Sequence, residues 1–229
     1  KLGSRENMFV SPFFQLSLDE PARDEEGEML VGTLAWTGNF RFTFEVDNLG
    51  KLRVISGINP YASKRILAKG ESFQTPEFIF TLSEGGRGEA SRTFHDWARK
   101  YQVNKGEESR MTLLNNWEAT YFDFDEEKLV KLIGEAKELG VDMFLLDDGW
   151  FGKRDSDTSS LGDYSVNAKK LPNGLKGLGE KLNAMGLQFG LWFEPESVSP
   201  DSELYCRHPD WALHDSLGRT DLLGRHQLL

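Results

Sequence analysis

Near residue 90 the spacing of apolar residues changes its period, and no single regular architecture satisfies both sides of the change. Before it, short aromatic or β-branched runs recur, Met29 to Trp36, Phe40 to Val46, Leu52 to Ile55 and Phe78 to Leu82. Thr37-Gly38-Asn39 and Asp47-Asn48-Leu49-Gly50 separate successive runs, and Gly and Asn tolerate the positive φ of tight hairpins. Residues 1–87 are therefore expected to form an antiparallel β-sandwich. Phe94, Trp97, Ala98 and Tyr101 then fall at helical spacing behind Ser91, which is expected to cap that helix. We read residues 88–109 as a helical connector.

From residue 110 strands and helices alternate. Met111 to Asn115, Val141 to Leu146 and Leu187 to Phe193 read as strands. Leu129, Leu132, Ile133 and Ala136 line one helix that stops at Gly140, and Leu175, Leu178, Leu182 and Met185 line another that stops at Gly186. Repeated βα units imply a parallel sheet. The connection from Trp150 to Leu171 is long and follows a strand's C-terminal end, where (β/α)8 barrels build their sites. A complete barrel takes about 250 residues, against roughly 120 after the connector. The expected fold is thus multidomain β plus α/β, a partial antiparallel β-sandwich followed by an incomplete (β/α)8 barrel over 110–229. That barrel is expected to stop near strand 4, at Gln227-Leu228-Leu229.

Each predicted strand runs into polar or aromatic residues: Asn115-Asn116-Trp117-Glu118, Asp147-Asp148-Gly149-Trp150 and Trp192-Phe193-Glu194-Pro195-Glu196. Convergent strand ends are a pocket signature. A carboxylate accepts from neighbouring hydroxyls and an indole offers an apolar face to a sugar ring, so Asp beside Trp suits a carbohydrate. Plainer readings stand beside this one. Asp-Asp-Gly in isolation is more often a solvated turn, and Trp117 and Trp192 are candidates for ordinary core packing. Glu194 and Glu196 flank a proline that would stiffen a loop, and they are left out of the site. Oxygen ligation of Mg²⁺ or Mn²⁺ by the acidic groups is a weaker alternative.

Other chemistries find no support. The histidines, His95, His208, His214 and His226, show no zinc spacing, Ser159, Ser160 and Ser165 sit in no nucleophile elbow, and no Gly-rich loop follows a strand. No metal or cofactor is expected. A net charge of -10 disfavours nucleic acid, and no apolar run approaches the roughly 20 residues of a spanning helix. Cys206 is alone, which fits a reducing, cytoplasmic setting. The chain begins Lys1-Leu2-Gly3 without a starting methionine, so a missing signal peptide carries no weight.

The motifs resemble one family extensively. Asn115-Asn116-Trp117-Glu118-Ala119, Leu145-Leu146-Asp147-Asp148-Gly149-Trp150-Phe151-Gly152, Gly190-Leu191-Trp192-Phe193-Glu194-Pro195-Glu196 and His208-Pro209-Asp210-Trp211 are similar to the microbial α-galactosidases of glycoside hydrolase family 36, the melibiase type. Gly57-Ile58-Asn59-Pro60 and Phe73-Gln74-Thr75-Pro76-Glu77 resemble the end of that family's N-terminal β domain. The resemblance implies a β-sandwich, of which residues 1–87 would be the C-terminal part, a catalytic barrel and a C-terminal β domain, commonly in a tetramer. It implies that Asp147 and Asp148 bind galactose hydroxyls, that Trp192 and Trp117 bound the pocket, and that Arg225 belongs to the binding site. His226 departs from the Asn that usually follows that arginine.

The family's nucleophile, an aspartate in a Lys-Trp-Asp-like motif, and its acid/base lie on later strands, so no catalytic residue is assigned to residues 1–229. Retaining glycosidases need two carboxyl groups about 5 Å apart. Adjacent Asp147 and Asp148 point to opposite sides of an extended chain, which suits binding better than paired attack. The resemblance thus implies a fragment, inactive alone, of a retaining α-galactosidase acting on sugars such as melibiose or raffinose. Action on α-N-acetylgalactosamine, transfer of galactose, and a non-catalytic sugar-binding module are the alternatives.

Overall fold

The computed structural model describes residues 11–18, 20–61, 64–220, 222 and 224–229, with the side chain of His226 outside that set. The chain divides into two compact units, Lys1–Glu108 and Ser109–Leu229. Among the described residues no helix is long and apolar enough to cross a membrane.

The first unit holds two antiparallel sheets. β1 (Phe13–Ser17), β2 (Met29–Leu34) and β5 (Phe78–Ser83) form one in the order β1-β2-β5, and β3 (Phe40–Val46) and β4 (Leu52–Ile58) form the other. The turn at Asp47 to Lys51 closes a β3–β4 hairpin, with Asp47 Oδ1 accepting from the Leu49 and Lys51 amides at 2.9 Å each. Thr37-Gly38-Asn39 does not make the expected second hairpin. β2 pairs with β1 and β5, so the chain changes sheets there. Aromatic side chains join the sheets, Phe14 meeting Phe42 at 5.0 Å and Phe44 at 5.2 Å between ring centroids. Gly32 makes this geometry possible. It pairs with Phe14 across β1–β2, and a Cβ there would stand 2.6 Å from the Phe14 ring.

α1 (Gly86–Tyr101) follows β5 directly and starts five residues before the predicted cap. Ser91 lies inside the helix, its hydroxyl 3.4 Å from His95 Nε2, so it caps nothing. The buried stripe is also shifted towards the N-terminus. Ala90 and Phe94 pack on Met29 and Val31, whereas Tyr101 is exposed.

The second unit carries a parallel sheet in the order β6-β7-β8, formed by Leu113–Asn115, Met143–Leu146 and Gln188–Leu191. α2 (Trp117–Thr120) is a single turn after β6. α3 (Glu126–Glu138) and α4 (Gly174–Ala184) follow the predicted periodicity, with Leu129, Ile133, Leu178 and Leu182 wholly buried. Burial of each such side chain stabilises the unit by about 1.5–3 kcal/mol. Asp125 caps α3, its Oδ1 accepting from the Lys128 amide at 2.9 Å. Gln227 and Leu228 do not extend the parallel sheet as strand 4. Leu228 instead bridges antiparallel to Val198, each amide donating to the other's carbonyl at 2.8 Å. A short α5 (Glu203–Arg207) is capped by Ser202.

Candidate functional site

The three parallel strands end side by side, and hydrogen bonds tie those ends together. Asn115, the last residue of β6, donates through Nδ2 to Asp147 Oδ2, and its Oδ1 accepts from the Trp117 amide at 2.7 Å. Asn116, wholly buried, accepts from the Asp147 amide at 2.8 Å. At the other side, the Trp192 amide donates to Leu146 O at 2.9 Å, and Trp150 Nε1 donates to Trp192 O at 3.1 Å. Asp147 and Asp148 stand at the end of β7, between Asn115 and Trp192.

The two aspartates have different surroundings. Asp147 is part-buried, and its Oδ1 accepts from the Asp148 amide at 2.7 Å. Asp148 is only 5% exposed. Its carboxylate is gripped by the wholly buried Arg154, Nε lying 3.0 and 3.1 Å from the two oxygens and Nη2 2.8 Å from Oδ2. Its Oδ1 also accepts from the Gly149 amide at 2.7 Å. Gly149 is required here. It sits at φ +95°, and a Cβ would meet the Phe122 ring at 3.0 Å and the Phe124 ring at 3.3 Å.

Trp117 is part-buried, its ring edge-on to Tyr121 and Phe122 at 5.2 and 5.0 Å. Trp192 is part-buried as well and stacks parallel to Phe151 at 6.5 Å. Arg225 has a different setting. It adopts a left-handed backbone (φ 63°), its side chain is 63% exposed, and its Nε lies 3.9 Å from the Asp157 carboxylate. Four of the five predicted residues are thus gathered at the strand ends, while the contact of Arg225 is with the loop after β7. None of the five lines the cleft of about 500 Å³ between that loop and α5, which is bordered by Lys153, Asp163, Arg207, His208 and Trp211.

Sequence reasoning missed Arg154, Lys170 and Tyr164. All three lie in the long β7–α4 connection, whose buried Phe151, Leu161 and Leu171 make it part of the core. Lys170 Nζ donates to Phe122 O at 2.9 Å and Gly149 O at 3.0 Å, and pairs with Asp155 at 2.9 Å. The Tyr164 hydroxyl donates to Glu194 O at 2.8 Å and accepts from the Glu194 amide at 3.1 Å, fixing the chain beyond β8. Burial pushes its phenol up. At the start of α3, hydrogen bonds from Lys181 and Asn173 hold the Glu126 carboxyl below the usual range. Among the described residues no group of His, Cys, Asp and Glu is placed to hold a metal ion.

The arrangement can accept hydrogen bonds from a polyhydroxylated ligand through Asp147 and can offer it indole surface. The chain as a whole is similar to known proteins. The chain is 49% identical to alpha-galactosidase AgaA of Geobacillus stearothermophilus over 222 residues, 96% of this chain and 30% of that one. It is 45% identical to alpha-galactosidase Mel36A of Lactobacillus acidophilus, covering 95% of this chain and 30% of the relative. A crystal structure of a G. stearothermophilus AgaA variant in complex with raffinose superposes with a TM-score of 0.88 at 48% identity, over 95% of this chain and 30% of that one. The chain therefore spans about 30% of the length of these relatives. The glycosyl hydrolase family 36 N-terminal domain matches residues 3–68. Because the melibiase family model matches residues 72–229, more than half of its length, the chain belongs to the melibiase family of glycosyl hydrolases.

Proposed function

We propose that the protein to which this chain belongs is a retaining α-galactosidase that hydrolyses terminal α-linked galactose from oligosaccharides such as melibiose and raffinose. The observation that carries the reading is the pair Asp147-Asp148 at the C-terminal end of the middle parallel strand, flanked by Asn115 and Trp192. The relatives bearing the name alpha-galactosidase, one with raffinose bound, support the substrate class.

In this reading residues 1–87 complete a β-sandwich, 88–109 connect, and 110–229 begin a catalytic (β/α)8 barrel. The change from antiparallel to parallel pairing supports that division. Asp147 and Asp148 bind galactose hydroxyls, Trp117 and Trp192 bound the pocket, and Arg225 joins it. Double displacement needs one carboxylate to attack the anomeric carbon and a second to protonate the leaving oxygen and then activate water. Both belong to the remainder of the protein, so residues 1–229 alone bind and orient without turning over. Tetrameric assembly belongs to the same reading, as does a cytoplasmic setting, with which the lone Cys206 is compatible.

The test compares kcat/KM of the complete protein on p-nitrophenyl α-galactoside and on p-nitrophenyl α-N-acetylgalactosaminide, with the anomer first released followed by proton NMR. Preference for the galactoside with α-galactose released first is the expected result. Preference for the N-acetylated sugar, or β-galactose released first, would refute it.

A further inference from the structure

We propose that Arg154 is a positioning residue of the sugar site, holding the Asp148 carboxylate in a single orientation at the end of β7. The inference rests on the galactoside reading above. An ionised carboxylate offers about four lone-pair sites. Three protein N–H groups make four contacts with Asp148, the Gly149 amide and Arg154 Nη2 one each and Arg154 Nε one to either oxygen. The guanidinium fork thus reaches both oxygens and sets the plane of the carboxylate.

Arg154 is itself fixed from several sides. Its Nη1 donates to Ser159 O at 2.8 Å, and its guanidinium lies 5.8 Å from the centre of the Phe122 ring. Lys170 ties the main chain around the pair, reaching Gly149 O at 3.0 Å and Arg154 O at 3.4 Å while lying 4.9 Å from the centre of the Phe124 ring. The residues that bracket the segment from Gly149 to Arg154 are thus pinned by one ammonium group. Both members of the ion pair are almost wholly removed from water. A buried pair of this kind is a poor stabiliser, since an apolar pair of similar volume serves folding as well or better. Orientation is what it supplies. A strand-end carboxylate that must meet a sugar hydroxyl within a few tenths of an ångström needs such support.

Arg154→Lys, Asp148→Asn and the double variant, made in the complete protein, test the assignment on p-nitrophenyl α-galactoside. Lysine keeps the charge and loses the fork. Arg154→Lys is expected to lower kcat/KM roughly 100-fold, the scale of a misplacement near 1 Å. It is also expected to weaken competitive inhibition by galactose, with circular dichroism and the melting midpoint close to wild type. If Arg154 acts through Asp148, the double variant is no worse than Asp148→Asn alone, because the losses do not add within one unit. Wild-type kcat/KM within twofold in Arg154→Lys, or losses that multiply in the double variant, would overturn the proposal while leaving the α-galactosidase reading intact. A wild-type protein that neither hydrolyses α-galactosides nor binds galactose would overturn both. If Arg154→Lys melts below the assay temperature, the charge-free pair Asp148→Asn with Arg154→Gln replaces it. Activity matching Asp148→Asn within threefold supports the assignment, and a further tenfold loss overturns it.

Discussion

Asp148→Ala tests the ion pair with Arg154 and the proposed sugar contact in a single substitution. Removing it strands Arg154, whose side chain is 0% exposed and whose Nη2 lies 2.8 Å from Asp148 Oδ2. Breaking a buried ion pair from one side costs about 3–5 kcal/mol, because the remaining charge has lost both water and partner. For a chain of this size each kcal/mol moves the melting midpoint by roughly 2–4 °C, so a drop of about 6–20 °C is expected. Asp147→Ala serves as the control. Asp147 is only part-buried and takes its bonds from Asn115 and a main-chain amide, so its loss costs about 1–2 kcal/mol. Asp148→Leu combined with Arg154→Met removes both charges and should recover most of the lost stability. The assay is thermal unfolding of the chain followed by near-ultraviolet circular dichroism. In the complete protein, loss of the proposed charge-assisted bond from Asp148 to the sugar is expected to lower kcat/KM by about 2–4 kcal/mol, or roughly 30- to 1,000-fold. An Asp148→Ala midpoint within about 2 °C of wild type, or a double variant no more stable than the single, would refute the reasoning.

Three further outcomes follow from packing and charge. Gly149→Ala forces a side chain into φ +95° and against the Phe122 and Phe124 rings, and is expected to cost about 2–4 kcal/mol in a urea titration. Leu178→Ala opens a cavity at a site with no exposure, and the same titration should register a loss of about 2–5 kcal/mol. The Glu126 carboxyl is held low by Lys181 and Asn173, so its contribution is present above the unfolded carboxylate value and is lost as pH falls through the lower folded value. Melting midpoints from pH 7 to pH 3 should therefore fall less steeply in Glu126→Gln, whose midpoint at pH 7 should lie below wild type.

Periodicity made the helices and parallel strands of the second unit legible, because Leu129, Ile133, Leu178 and Leu182 bury one face each and little else competes for them. The first unit was harder. Gly and Asn at 37–39 look the same whether a turn closes a hairpin or carries the chain to another sheet, and only the pairing partners decide. Ser91 has the chemistry of a cap, but α1 begins where the chain leaves β5, and packing of Ala90 on Met29 and Val31 sets its frame. Leu228 reads as a strand residue and is bonded as one, though to Val198 rather than to β8. At the site, residues next to strand ends were visible because strand position and chemistry coincide. Arg154 and Lys170 were not, since loop cations carry no periodic signal and their partners are set by how the connection folds back over Phe122 and Phe124.

The most direct test of the central claim compares hydrolysis of p-nitrophenyl α-galactoside by the 229-residue chain and by the complete protein at equal molar concentration. The account predicts turnover by the complete protein and none by the chain, since Asp147 and Asp148 orient the sugar while attack and protonation come from other carboxylates. Turnover by the purified chain would contradict it and return Asp147, Asp148, Glu194 and Glu196 to consideration as catalysts.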